Sequence, residues 1–160
     1  MNYCSFTLGK SSRRVHAGPY RDRPTTHLGV KMAEEIKSPC DISIPTEDFS
    51  VPTQQMMEEG IRQVLKPLAL GEPIYVGCMG GIGRTGLFLA CLAKTLGAHR
   101  PVHYVRSHYE PHAVETRQQR DFVEEFNELK FNRLLPRYRF AARVVDLMPW
   151  SKGLVAKLLN

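Results

Sequence analysis

The residues best placed to do chemistry are Cys78 and Arg84, which bracket the Gly-rich run Cys78-Met79-Gly80-Gly81-Ile82-Gly83-Arg84-Thr85-Gly86. Three phosphate-binding patterns compete for it. The dinucleotide fingerprint G-x-G-x-x-G fits Gly81, Gly83 and Gly86, but it also asks for an acid about 20 positions further on to hold a ribose. The next acid in the chain is Glu110. The Walker A pattern G-x-x-x-x-G-K-[ST] fits in spacing, yet Cys78 stands for its first Gly and Arg84 for its Lys. In C-x-x-x-x-x-R-[ST] those two substitutions become requirements. A strand ending at Cys78, a loop curling back and a helix opening near Arg84 would aim backbone N–H groups and the positive helix end at one point. The same field lowers a cysteine pKa from about 8.5 toward neutrality. The chemistry would be thiolate attack on a bound phosphoryl group, with the planar Arg84 fork on two phosphate oxygens and the Thr85 hydroxyl donating toward the sulfur.

Cys78 to Gly86 resembles the C-x-x-G-x-x-R-[ST]-G signature loop of protein tyrosine and dual-specificity phosphatases. The resemblance implies Cys78 as nucleophile, Arg84 as phosphate clamp, and Met79, Gly80, Gly81, Ile82, Gly83 and Thr85 as the cup around the phosphate. Phosphate or sulfate would suit that cup, and neither a metal nor a cofactor is implied. The family's general acid is an Asp on a loop upstream of the cysteine. Asp48, in Ile-Pro-Thr-Glu-Asp-Phe-Ser-Val-Pro, matches the I-P-x-x-D-x-x-x-P of many dual-specificity members. Asp41 and Glu47 are reserves, and a solvated or helix-capping Asp48 is the plainer alternative. Downstream, a V-R…A-x-x-T-x-x-Q-x-x-F pattern would make Gln119 a water-positioning residue, although Thr116 and Gln119 also form a T-x-x-Q capping box. Arg106 is either a support for the signature loop or a solvated charge. The chain departs from the family in having Gly77 where His usually precedes the cysteine, and in having no Trp near Asp48. The resemblance spans residues 42 to about 127.

These residues need a scaffold. Asp41-Ile-Ser-Ile-Pro reads as a short strand and Pro73-Ile-Tyr-Val-Gly-Cys as a buried one. Between them Met57, Ile61, Val64, Leu65 and Leu68 recur at helical spacing, with Gly71 as a stop. The segment after the loop is apolar nearly all round and should be a central helix closed by Gly97. A short helix is expected from Pro101, and a longer one from Thr116 with Phe122, Val123, Phe126 and Leu129 on one face. The class is therefore α/β: a single domain with a central, mostly parallel sheet flanked by helices, like a dual-specificity phosphatase. Residues 1–40, mixing basic residues with Gly and Pro, read as loop. Residues 1–131 would form the phosphatase-like domain. Residues 132–160 would be a basic C-terminal extension of two helices divided by Pro149, with Val144, Val145, Leu147, Leu154, Leu158 and Leu159 on its buried face. It serves either to stabilise the domain or to dock an acidic partner.

Composition narrows the class. With 160 residues and 42% hydrophobic content the chain can bury a core unaided. Its four cysteines, Cys4, Cys40, Cys78 and Cys91, form no CxxC pair or zinc spacing. No run of apolar residues is long enough to span a bilayer and no signal peptide opens the sequence, so a reduced, cytoplasmic protein without membrane insertion is expected. The net charge of +6, with no acid between Glu72 and Glu110, favours anionic partners. A phosphorylated protein or other phosphomonoester is the expected substrate. An RNA 5′-triphosphatase or phosphoinositide phosphatase of the same fold, and a non-enzymatic phosphoprotein-binding module, are the alternatives; nucleic acid is possible but less favoured.

Overall fold

A computed structural model describes residues 2–160 of the chain. The strands are β1 (Asn2–Leu8), β2 (Ser11–Pro19), β3 (Leu28–Ala33), β4 (Ile42–Thr46) and β5 (Ile74–Cys78). The helices are α1 (Gln54–Ala69), α2 (Gly83–Thr95), α3 (Pro101–His108), α4 (Arg117–Glu125), α5 (Leu135–Leu147) and α6 (Lys152–Leu158). The five strands form one sheet in the order β1-β2-β5-β3-β4, in which only the β1–β2 pair is antiparallel. β5 lies in the centre, hydrogen-bonded on both edges, so its last residue is delivered to the middle of the sheet's C-terminal edge. In parallel α/β sheets this edge is where ligands bind.

The expectation of loop over residues 1–40 is corrected: three of the five strands lie there. β1 and β2 form a hairpin whose two-residue turn, Gly9-Lys10, uses a positive φ of 71° at Gly9. Cys4, Phe6 and Leu8 on β1 and Val15 and Ala17 on β2 alternate into the core. The alternation is concealed by Arg13, which also points inward. Its guanidinium donates to the Leu68, Ala69 and Ala142 carbonyls and pairs with Asp146 at 2.8 Å, tying β2 to the end of α1 and to α5.

α2 is buried over almost its whole length, as its sequence requires, and it packs on β3 and β5 with α3 and α4 against it. The helix opening at Thr116 is shorter than expected. It ends at Glu125, leaving Leu129 exposed on a following 3-10 turn. In the tail, α5 and α6 bury Tyr138, Ala141, Ala142, Val145, Val155 and Leu159 against β1, β2 and α1. Leu147, Leu154 and Leu158, expected on the buried face, are exposed instead. Pro149 breaks the helix and resets the phase, so one continuous periodicity does not carry across it. Among the described residues no helix is long and apolar enough to cross a membrane.

Candidate active site

Cys78 closes β5 and is buried. The chain then turns through Met79–Ile82 into α2, whose second residue is Arg84. Gly81 makes the turn possible. Its φ is 75°, and a Cβ there would stand 2.3 Å from the Gly18 carbonyl carbon. Its N–H donates to Cys78 Sγ at 3.2 Å, and its carbonyl accepts from the half-buried Tyr109 hydroxyl. The expected Thr85 bond to the sulfur is not formed; Thr85 Oγ1 is buried with no partner among the described residues. The Gly81 N–H takes that place at the sulfur.

Gly77, the departure from the family pattern, has a steric cause. A Cβ at this position would meet the Gly18 carbonyl oxygen and Tyr20 Cα, both at 2.8 Å. β2 and the Tyr20–Asp22 turn cross so close to β5 that no side chain fits before the cysteine.

Arg84 is 2% exposed, and its guanidinium is held along one edge. Nη1 donates to Glu35 Oε2 at 2.8 Å and to the Thr46 carbonyl at 2.9 Å, while Nη2 donates to Glu35 Oε1 at 2.7 Å. Asp48 Oδ1 lies 3.0 Å from Nη2. Nε has no partner among the described residues. The fork is thus split: the Nη1/Nη2 edge is fixed by Glu35, Nη2 also meets Asp48, and Nε is the donor left without a partner among the described residues. Burial works against the Arg84 charge, but the Glu35 hydrogen bonds and the negative charges of Cys78, Glu35 and Asp48 outweigh it and push its pKa up. In return, Arg84 holds the Glu35 carboxyl below the usual range, against the opposing effect of burial.

Glu35 was not legible as a site residue. It sits in the turn after β3, itself unforeseen, and its loop is pinned by Lys31 Nζ donating to the Ile36 and Ser38 carbonyls. A doubled acid, Glu34-Glu35, directly after an apolar run was the only signal available.

The structure brings Asp48 to Cys78 and Arg84, where together with Phe49, Met79, Gly80, Ile82, Gly83 and Glu115 it lines a cavity of about 150 Å³. Asp48 itself is largely exposed and accepts from the N–H of Phe49, a residue at a φ of 58°. Asp41 is engaged elsewhere, accepting from the Gly29 N–H at 2.7 Å. Gln119 is fully buried and completes a reciprocal capping box with Thr116; its Nε2 also donates to the Ser50 carbonyl, two residues beyond Asp48. Arg106 does not reach the signature loop. It clamps the Ala113 and Val114 carbonyls. Val114 there adopts a φ of 60°, rare for a β-branched residue, and the turn carries Glu115 over the loop: a Cβ on Gly83 would lie 2.1 Å from Glu115 Oε2. Glu115, like Glu35, escaped the sequence reading.

A family model described as a polymorphic toxin system DSP-PTPase phosphatase matches residues 29–98. An uncharacterized protein of Methanocaldococcus jannaschii is 39% identical over 99 residues, covering 60% of this chain and 67% of the relative. Among solved structures, the active form of Tk-PTP superposes with a TM-score of 0.59 at 21% identity, covering 78% of this chain and 96% of that one. PTPMT1 in complex with PI(5)P gives 0.57 at 20% identity, covering 68% and 80%. At these identities the structural likeness is one of fold. Sheet and signature loop share the fold of these cysteine-loop phosphatases, and residues 29–98 match the DSP-PTPase phosphatase family model.

Proposed function

We propose that the chain hydrolyses phosphomonoesters through a phosphocysteine on Cys78, in the manner of a protein tyrosine or dual-specificity phosphatase. The observation that carries this reading is Cys78 Sγ under a backbone N–H beside a buried Arg84 whose Nε has no partner among the described residues. A phosphate dianion seated on the loop N–H groups of residues 79–85 would take two of its oxygens onto Nε and Nη2, displacing the Asp48 contact at Nη2. The Cys78 thiolate then attacks phosphorus; the S–P bond forms as the P–O ester bond breaks, and protonated Asp48 gives its proton to the leaving oxygen. In the second half, Asp48 takes a proton from water as the water attacks phosphorus. Inorganic phosphate leaves and the thiolate is restored. Fixed donors aimed at the equatorial oxygens stabilise the charge that redistributes in both steps.

The carboxylates around the cavity favour a singly phosphorylated group. Asp48 and Glu115 line the cavity, Glu35 is paired with Arg84, and Met79–Gly83 contains no Lys. Further phosphates beside the scissile one would meet this acidic rim, which weighs against triphosphate RNA and polyphosphorylated inositides. The fold shared with PTPMT1, solved with PI(5)P, keeps a singly phosphorylated lipid as the second reading. A non-enzymatic binding module has less support, since Gly77 follows from backbone crowding rather than from loss of the active site.

A chelator-treated panel of phosphotyrosine peptide, phosphoserine peptide, a monophosphoinositide and triphosphate RNA tests the reading. Turnover of a phosphomonoester that is lost in Cys78→Ser supports it. Turnover of triphosphate RNA alone, or binding of every substrate with none hydrolysed, overturns it.

A further inference from the structure

Ten large apolar side chains stand exposed among the described residues, and six of them, Phe140, Leu147, Met148, Trp150, Leu154 and Leu158, fall within residues 140–158. Leu154, at 61%, is the least exposed of the helical ones, and Trp150, at 81%, is the most exposed of all. They are not core residues out of place. α5 and α6 already bury a separate set, Tyr138, Ala141, Ala142 and Val145 on the first helix and Val155 and Leu159 on α6 and its C-cap. Phe140 and Leu147 lie two turns apart on the outer side of α5. Trp150, Leu154 and Leu158 follow one another at one-turn spacing. Arg137 Nη2, in the first turn of α5, donates to the carbonyl of Leu158, the last residue of α6, at 2.7 Å. The two helices therefore run side by side as a hairpin with Trp150 at its tip.

The charge on this hairpin that is not paired among the described residues has one sign. Arg143 follows Phe140 by one turn and Lys157 follows Leu154 by one turn, and neither makes a salt bridge among the described residues. The segment's single acid, Asp146, is paired with Arg13 at 2.8 Å. Protruding apolar side chains with an exposed Trp and flanking Arg and Lys are the combination that partitions into the boundary between lipid headgroups and acyl chains. Contiguous exposed apolar surface is otherwise uncommon on a soluble domain. A second copy of the chain fits less well. An isologous contact would set this cationic face against itself.

We propose that the α5–α6 hairpin docks on an anionic lipid surface, with Trp150, Leu154 and Leu158 entering the headgroup layer and Arg143 and Lys157 on lipid phosphates. The inference stands on the tail alone and does not depend on the reaction assigned to Cys78.

Trp150 is the only Trp in the chain, so its fluorescence reports on the hairpin specifically. The full chain is titrated with vesicles of phosphatidylcholine alone and of phosphatidylcholine mixed with phosphatidylglycerol. The expected result is a blue shift and co-sedimentation with the anionic vesicles only, weakened about tenfold or more in high salt or in the Arg143→Glu, Lys157→Glu double variant. Leu154→Ser with Leu158→Ser should also weaken binding, while melting temperature and turnover of a small aryl phosphate stay as in the parent. No shift with anionic vesicles overturns the proposal. So does a vesicle-independent shift that grows with protein concentration, which would mark a second copy. An equal response to soluble polyglutamate that survives the two Leu substitutions would mark an acidic protein partner and overturn it as well.

Discussion

Replacing Glu35 by Ala removes the contact that fixes Arg84, and the structure sets the size of the effect. The carboxylate accepts two charge-assisted bonds, at 2.8 and 2.7 Å, from a guanidinium only 2% exposed. Each such bond contributes about 1.5–3 kcal/mol. The Glu35 side chain is itself 36% exposed, so water recovers part of that stabilisation. The Thr46 carbonyl and Asp48 also remain in place. A net loss of about 2 kcal/mol follows, which lowers the melting temperature by roughly 4–8 °C in a chain of this size. Arg84, free to rotate, would misplace the phosphate, and a small misplacement costs up to about 10²-fold in turnover. The assay pairs thermal unfolding with kcat on an aryl phosphate. A pH series adds a sign. Because Arg84 depresses the Glu35 pKa in the folded state, the contribution is complete above the ordinary Glu value and is lost as pH falls through the depressed one. The two melting curves should diverge toward neutrality and converge in acid. Equal melting temperatures and equal kcat at neutral pH would refute the role assigned to Glu35.

Asp48→Ala should slow hydrolysis of alkyl and poorly activated aryl phosphates by about 10²- to 10⁴-fold, with a smaller loss for good leaving groups; if Glu47→Ala shows that dependence instead, the acid is misassigned. Gly77→Ala should destabilise by about 1–3 kcal/mol, since its Cβ meets backbone atoms at 2.8 Å, and Gly77→His should not raise activity; a Gly77→Ala chain melting with wild type would remove the steric account. Gln119→Glu preserves a capping acceptor but loses the Nε2 bond to Ser50. A lowered melting temperature, from a buried carboxyl set against the Ser50 carbonyl, and slowed turnover are expected, and unchanged turnover would reduce Gln119 to a helix cap.

The part of the site carried by one contiguous segment was readable because its constraints are local. Cys78, Gly81 and Arg84 announce a strand, a positive-φ turn and a helix start within a few residues, and the apolar runs on either side predict β5 and α2. Asp48 was singled out through its Pro-framed context, and it lies beside Arg84 in the fold. Glu35 and Glu115 were not found because their roles depend on contacts between distant segments. Glu35 reaches Arg84 only once β3 is known to lie beside β5, and β3 belongs to a stretch whose Pro, Gly and basic residues mask its strands. Arg13 shows the same limit: an inward-facing cation breaks the polar–apolar alternation of β2, and its reason, the carbonyls at the end of α1, lies more than 50 residues away. In the tail the helices were legible but their phase was not. A break at Pro149 leaves each helix to be oriented by its own packing, so Leu147, Leu154 and Leu158 turned outward.

The central claim is a covalent bond between Cys78 and the transferred phosphoryl group, and mass spectrometry of the protein quenched during turnover of an aryl phosphate tests it most directly. The peptide containing Cys78 should gain the mass of one phosphoryl group, located on the cysteine. The adduct and turnover should both vanish in Cys78→Ser, while that variant still binds vanadate through the loop N–H groups and Arg84. Turnover in wild type with the phosphoryl group on another residue, or near-normal turnover in Cys78→Ser, would contradict the account.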